Sequence, residues 1–324
     1  MQLVLDIAIF IGSFLLIIWG GDRFVDSSVA IAKKIKIPPV VIGATLTSIG
    51  TTLPELLITI FSAGGESAGF AVGNALGSII FNTCIIGGIL VCFMTIHAKK
   101  DSVTEYLFLL ILLAIGAVMI ISGRLELWES IVLVIVFVVF TIMNMHKIGK
   151  EPLEKVEDAK TYTRKTWQHF LMFLVAAVAV GAGAFLMVDK AKLFCSLLGA
   201  SETLVGVAVL SVGSSLPELI TTINAIKKKQ AGLGIGNIVG SNVINGSLLL
   251  GLAGIVNGFS GLPITKETIV LTMPLAILCS SLLFIPTLIN KKTYKWQGFA
   301  LIGIYLIYYV YLILGATGAI GAIA

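Results

Sequence analysis

The sequence predicts an all-α integral membrane protein whose ten transmembrane helices form two inverted five-helix repeats. Three observations carry that reading: an apolar composition, a run of about ten spans, and a self-match at an offset of 163 residues. The 324 residues are 57% hydrophobic and 12% charged, with a mean hydropathy of +1.05. A soluble domain carries roughly 25% charged residues. Stretches such as 103–122, broken only by Glu105, and 269–290 are long enough to cross about 30 Å of hydrocarbon. These features exclude a soluble enzyme and a nucleic-acid binder.

Hydropathy places helices near 4–21, 40–62, 69–95, 103–121, 128–145, 168–188, 203–226, 232–257, 268–289 and 296–315. The N-terminus lacks the basic stretch of a cleavable signal, so its apolar run is expected to stay as the first helix. Residues 1–145 form the first repeat, 146–167 a polar linker with mixed charges, and 168–324 the second repeat. Of the 22 basic residues, 18 fall in one set of alternate loops and only Arg124, Lys190, Lys192 and Lys266 in the other. The positive-inside rule makes the rich side cytoplasmic and both termini extracellular, in the cell membrane. Cys84, Cys92, Cys195 and Cys279 show no C-x-x-C spacing and read as small core residues.

The self-match aligns GATLTSIGTTLPELLITI at 43–60 with GVAVLSVGSSLPELITTI at 206–223, then AGFAVGNALGSIIFN at 68–82 with AGLGIGNIVGSNVIN at 231–245. Across 43–88, 17 of 46 positions are identical. Five spans per half is an odd number, so the second half enters the membrane upside down, with a site expected near the midplane where the halves meet. The identities fall on polar and backbone-breaking residues: Gly50/Gly213, Pro54/Pro217, Glu55/Glu218, Asn74/Asn237, Ser78/Ser241 and Asn82/Asn245. Packing alone would tolerate apolar substitutes there, and the apolar positions between them do drift.

Glu55 and Glu218 each sit about midway along an apolar stretch, where a charge costs at least about 2.5 kcal/mol, so they mark a pathway or site. No Lys, Arg or His is expected at that depth to pair with them. His97, His146 and His169 fall at the cytoplasmic ends of spans, which weakens a histidine relay. Pro54 and Pro217 remove a backbone donor and free a carbonyl one turn earlier, predicting helix breaks at 48–51 and 211–214. Ser48, Thr51, Thr52 and Glu55 share one helical face, as do Ser211, Ser214, Ser215 and Glu218. Ser78 with Asn82, and Ser241 with Asn245, add oxygens on the following helices. The set contains no thiolate or imidazole, which suits a hard cation, calcium or sodium. Glycines at 69, 73 and 77 and at 232, 236 and 240 predict close helix contacts that let short side chains reach a shared centre.

Two ionised glutamates would give the empty site about two negative charges, costly to move unpaired past an apolar barrier. One Ca²⁺ or several Na⁺ would each cancel that charge, so the arrangement predicts obligatory exchange of competing loads.

The stretches G-T-T-L-P-E and G-S-S-L-P-E, each followed by G-N-x-x-G-S-x-x-x-N, resemble the paired alpha-repeats of the sodium/calcium exchanger family within the calcium:cation antiporters. The resemblance implies a core of spans 2, 3, 7 and 8, across which the long first and sixth helices slide to alternate access. It implies that Glu55 and Glu218 are shared Ca²⁺ and Na⁺ carboxylates. Thr51 and Ser214, with Ser48 and Ser211, would give backbone or hydroxyl oxygens. Thr52, Ser215, Ser78 and Ser241 would complete the sodium sites, with Asn82 and Asn245 at the centre. Potassium-dependent relatives often carry Asp where this chain has Asn245, so transport independent of K⁺ is expected. The transported ions would be Ca²⁺ and Na⁺; no cofactor, enzymatic activity or nucleic-acid partner is expected, and a monomer in the lipid bilayer is the expected form. The rivals are a proton/calcium antiporter of the same superfamily, which typically has G-N-x-x-E without the Pro-Glu pair, and, more distantly, a cation channel or an intramembrane hydrolase.

Overall fold

The computed structural model describes residues 2–34, 50–64, 67–98, 100–147, 166–227 and 229–316. They are almost entirely helical: α1 (Gln2–Lys34), α2 (Leu53–Ala63), α3 (Ala68–Phe93), α4 (Lys100–Ile120), α5 (Leu127–Lys147), α6 (Thr166–Leu198), α7 (Glu202–Ser214), α8 (Leu216–Lys227), α9 (Ala231–Ser260), α10 (Thr268–Asn290) and α11 (Lys295–Ala316). Eight of these are long and apolar enough to cross a membrane. The pair α7 and α8, bent by 44° at a break, makes a ninth when taken together as one span. Of the span expected over 40–62, only the part from Gly50 is described, and the expected linker lies mostly outside the described residues.

Two helices are longer than hydropathy predicts. α1 and α6 run 33 residues each, about 50 Å at 1.5 Å per residue. Hydropathy registers bilayer thickness, whereas the helix continues until a residue stops it: Gly199, with φ of +64°, ends α6. The two lie against each other. Lys190, read from sequence as a loop cation, sits on α6 and pairs with Asp6 of α1 at 3.2 Å and Asp189 at 3.1 Å. Its neighbour Asp6 is buried, so the ion pair ties these helices at one end.

Which helices are central follows from burial. In α3 and α9, 78% of the span window is buried within the protein, against 22–33% for α1, α4, α5 and α11. The outer helices keep Ile, Leu, Val and Phe exposed, as lipid-facing surfaces require. Two short clasps hold the connections between them. At one, Arg124–Leu125 pairs antiparallel with Leu262–Pro263, and Arg124 Nη1 donates to Ser260 O at 2.9 Å. At the other, His97 bridges Lys292, with Ala98 N donating to Lys291 O and Thr293 N to Ile96 O, both at 2.9 Å.

Close approach of α3 to α7 is the central packing event, and glycine makes it possible. A Cβ at Gly73 would collide with the Thr203 carbonyl, and one at Gly77 would lie 2.7 Å from Ser211 Oγ. The equivalents for the second glycine series, positions 40 and 48 by the 163-residue offset, lie outside the described residues.

Candidate cation site between α2, α3, α8 and α9

Pro54 and Pro217 set the local geometry. Each occupies the first turn of a helix, where the missing N–H leaves nothing unsatisfied. The break falls at Ser215, not over 211–214, which is helical. Thr52 (φ −84°, ψ 2°) and Ser215 (φ −83°, ψ 7°) adopt matching turn conformations. A second expectation is corrected with it. Glu55 and Glu218 do not lie midway along continuous helices but in the first turns of α2 and α8, where the helix dipole favours negative charge. Hydropathy averages across such a break and so cannot see it.

The two halves grip each other through reciprocal hydrogen bonds. Ser215 Oγ donates to Glu55 Oε1 at 3.0 Å, and Thr52 Oγ1, its equivalent at the offset, donates to Glu218 Oε1 at 3.2 Å. Ser214 Oγ donates to Asn74 Oδ1 at 3.1 Å, and Thr51 Oγ1 to Asn237 Oδ1 at 3.5 Å. Asn74 Nδ2 then donates to the Glu55 carbonyl at 3.1 Å, and Asn237 Nδ2 to the Glu218 carbonyl at 3.5 Å. Asn74 and Asn237 were visible as repeat identities but carried no role in sequence. Here each orients the first turn that holds a glutamate.

All twelve sequence-predicted residues except Ser48, which lies outside the described residues, are fully or almost fully buried. Ser241 Oγ lies 3.3 Å from Glu218 Oε1 and 3.2 Å from Thr52 Oγ1. Ser211 turns its hydroxyl onto Val207 O of its own helix, at 2.5 Å, leaving its backbone carbonyl to face Ser214 Oγ at 3.3 Å. Asn82 opens a π-helical turn at Asn82–Ile86, and Asn245 lies in another at Ile244–Leu249. Such wide turns often accompany functional sites, and nothing in the hydrophobic periodicity announced them.

Several buried polar atoms have no hydrogen-bond partner among the described residues: Glu55 Oε2, Glu218 Oε2, Ser78 Oγ and both ends of the Asn82 and Asn245 amides. Buried polar groups are rarely left so. Two buried carboxylates, each taking a hydroxyl hydrogen bond from the opposite half and each with one oxygen unpartnered, make an oxygen-rich set with a strong demand for positive charge. Among the described residues, no group of three or more His, Cys, Asp or Glu gathers to hold a metal, so most ligands for an ion here are neutral oxygens. That chemistry suits a hard cation held reversibly.

Comparison with known proteins agrees with this geometry. The family model described as sodium/calcium exchanger protein matches residues 5–145 and 168–314. An uncharacterized membrane protein of Methanocaldococcus jannaschii is 29% identical over 308 residues, covering 94% of this chain and 97% of that one. The sodium/calcium exchanger MaX1 of Methanosarcina acetivorans is 27% identical, covering 89% and 92%. A solved structure of the sodium-calcium exchanger NCX_Mj, soaked with Na⁺ and Sr²⁺, superposes with a TM-score of 0.66 at 28% identity, covering 94% and 97%.

Proposed function

The chain belongs to the sodium/calcium exchanger protein family, and on that premise we propose that it is a secondary antiporter exchanging Na⁺ for Ca²⁺ across the cell membrane by alternating access, without K⁺. The observation that carries this reading is the reciprocal arrangement in which each buried glutamate receives a hydroxyl from the opposite half. Ca²⁺ binds between Glu55 and Glu218, cancelling two charges. Na⁺ ions occupy overlapping positions that use the same carboxylates with Thr51, Thr52, Ser214, Ser215, Ser78, Ser241 and backbone or hydroxyl oxygens of Ser48 and Ser211. Asn82 and Asn245 fill the centre.

With either load the centre is near neutral or positive and can pass an apolar barrier; without one it carries a net negative charge and stalls. Ten spans in two inverted repeats, with both termini outside, supply the pseudo-symmetric pathways that alternating access needs. The paired long helices α1 and α6, tied by Lys190 and Asp6, are the moving element. Asn245, neutral where an Asp would add a third charge, keeps the centre at two negative charges and supports independence from K⁺.

The test is ⁴⁵Ca²⁺ uptake into proteoliposomes driven by an outward Na⁺ gradient at clamped pH and voltage, with and without K⁺. Uptake that follows the Na⁺ gradient and ignores K⁺ is expected. Uptake that follows a pH gradient and ignores Na⁺ would establish proton coupling instead, and Ca²⁺ flux undiminished with no counter-cation would exclude exchange.

A further inference from the structure

One contact breaks the pattern that relates the halves. At the 163-residue offset, Asn242 corresponds to Ile79 and Gly246 to Thr83. On one side the contact is apolar: a Cβ built on Gly246 would meet Ile79 Cδ1 at 3.5 Å, ordinary van der Waals distance. On the other it is polar: Asn242 Nδ2 donates to Thr83 Oγ1 at 2.8 Å. Both residues are fully buried, and Asn242 Oδ1 has no hydrogen-bond partner among the described residues.

An unsatisfied buried acceptor costs about 1–3 kcal/mol. The fold already contains a less costly solution to the same contact, Ile over Gly. The polar version is therefore disfavoured by packing and points to something that satisfies Oδ1. The Thr83 bond fixes the amide so that the donor end is engaged and the carbonyl end is free. Asn242 directly follows Ser241, which touches Glu218, and stands one helical turn before Asn245; Thr83 directly follows Asn82. Asn242 thus lies on the helix face next to the one that carries Ser241 and Asn245, one residue along α9 from the centre whose amides are also unpartnered.

We propose that Asn242 Oδ1 is a ligand of a monovalent cation position beside the two-glutamate centre, held in place by Thr83, so that Na⁺ has an oxygen on this side that Ile79 cannot supply on the other. This rests on the exchange reading above. A neutral carbonyl adds no charge and so does little to balance a divalent ion, whose place is set by the carboxylates. A monovalent ion needs less compensation and gains more, in proportion, from a neutral oxygen. Asn242 is then a determinant of Na⁺ against Ca²⁺.

The test uses the full chain in lipid nanodiscs, with ⁴⁵Ca²⁺ equilibrium binding and its displacement by NaCl. The double variant Asn242→Ile with Thr83→Gly copies the Ile79–Gly246 contact that this backbone already accommodates. The ratio of half-displacing Na⁺ concentration to Ca²⁺ Kd is expected to rise tenfold or more, with a shallower Na⁺ dependence. An unchanged ratio overturns the proposal, as does a parallel loss of both affinities, which would mark the pair as scaffold only. If the double variant fails to fold, Asn242→Leu, close to isosteric, reads the same ratio: a rise supports the proposal, and an unchanged ratio or a parallel loss overturns it. Failure of the wild-type chain to bind Ca²⁺ at all would overturn the exchange reading itself, and that result is separate from any change in the ratio.

Discussion

Ser215 and Glu55 are 160 residues apart in the chain, yet the serine hydroxyl donates to the glutamate Oε1 at 3.0 Å, across the boundary between the two repeats. Each half contributes a carboxylate and hands a hydroxyl to the carboxylate of the other, so the two glutamates are held by contacts between the halves.

Glu55→Gln and Glu218→Gln should each weaken Ca²⁺ binding by about 10- to 100-fold, the equivalent of a lost charge-assisted contact of about 1.5–3 kcal/mol. Both variants should fold, because burying a neutral amide costs less than burying a charge. Isothermal titration with Ca²⁺, alongside size-exclusion profiles, checks this. Near wild-type affinity in either variant would contradict the shared role of the pair.

Asn74→Leu should cost more stability than a substitution on the lipid face. It removes the amide's hydrogen bonds to the Glu55 carbonyl, Thr59 Oγ1 and Ser214 Oγ, at about 1–3 kcal/mol for a group left buried and unpaired, although Ser214 Oγ keeps the Ser211 carbonyl as a partner. Asn74→Asp should lose transport with a smaller drop in melting temperature, since its oxygens still accept from Ser214. Equal melting temperatures for Asn74→Leu and wild type would show the amide to be dispensable.

Gly77→Ala and Gly213→Ala should both impair folding. The first places a methyl 2.7 Å from Ser211 Oγ, and the second overlaps the ring of Phe14 on α1. Overpacking of this kind costs about 1–3 kcal/mol. Gly213→Ala combined with Phe14→Ala should recover stability where Gly213→Ala alone does not, which thermal denaturation in detergent measures.

Asn245→Asp should make transport K⁺-sensitive. A third carboxylate leaves the Ca²⁺-loaded centre with one uncompensated charge, so flux should fall severalfold in K⁺-free medium and recover when K⁺ is added. Flux in this variant that is indifferent to K⁺ would separate K⁺ coupling from the charge at this position.

Much of this was legible in sequence because the bilayer imposes strong constraints. A glutamate in an apolar stretch has few explanations other than function, and a repeat that keeps Gly, Pro, Glu and Asn while letting Leu, Ile and Val drift marks the residues that meet. In the second half the break falls at Ser215, just beyond the expected 211–214, and both glutamates lie in first turns of helices, because proline signals a disrupted hydrogen bond without fixing which residue absorbs the turn. The π-helical turns and the roles of Asn74 and Asn237 were not legible, since both depend on which backbone groups lie opposite across a packed interface.

Sequence by itself determined the membrane class, the duplicated motif and the identity of the acids and hydroxyls, because each rests on local composition or on self-comparison. Only tertiary structure decided that the hydroxyls serve the opposite half, that the acids open new helices, and that Asn242 and Thr83 stand where Ile79 and Gly246 stand on the other side. Those facts are distances between residues about 160 apart in the chain, and no periodicity along one strand of sequence encodes which face of a helix its distant counterpart will cross.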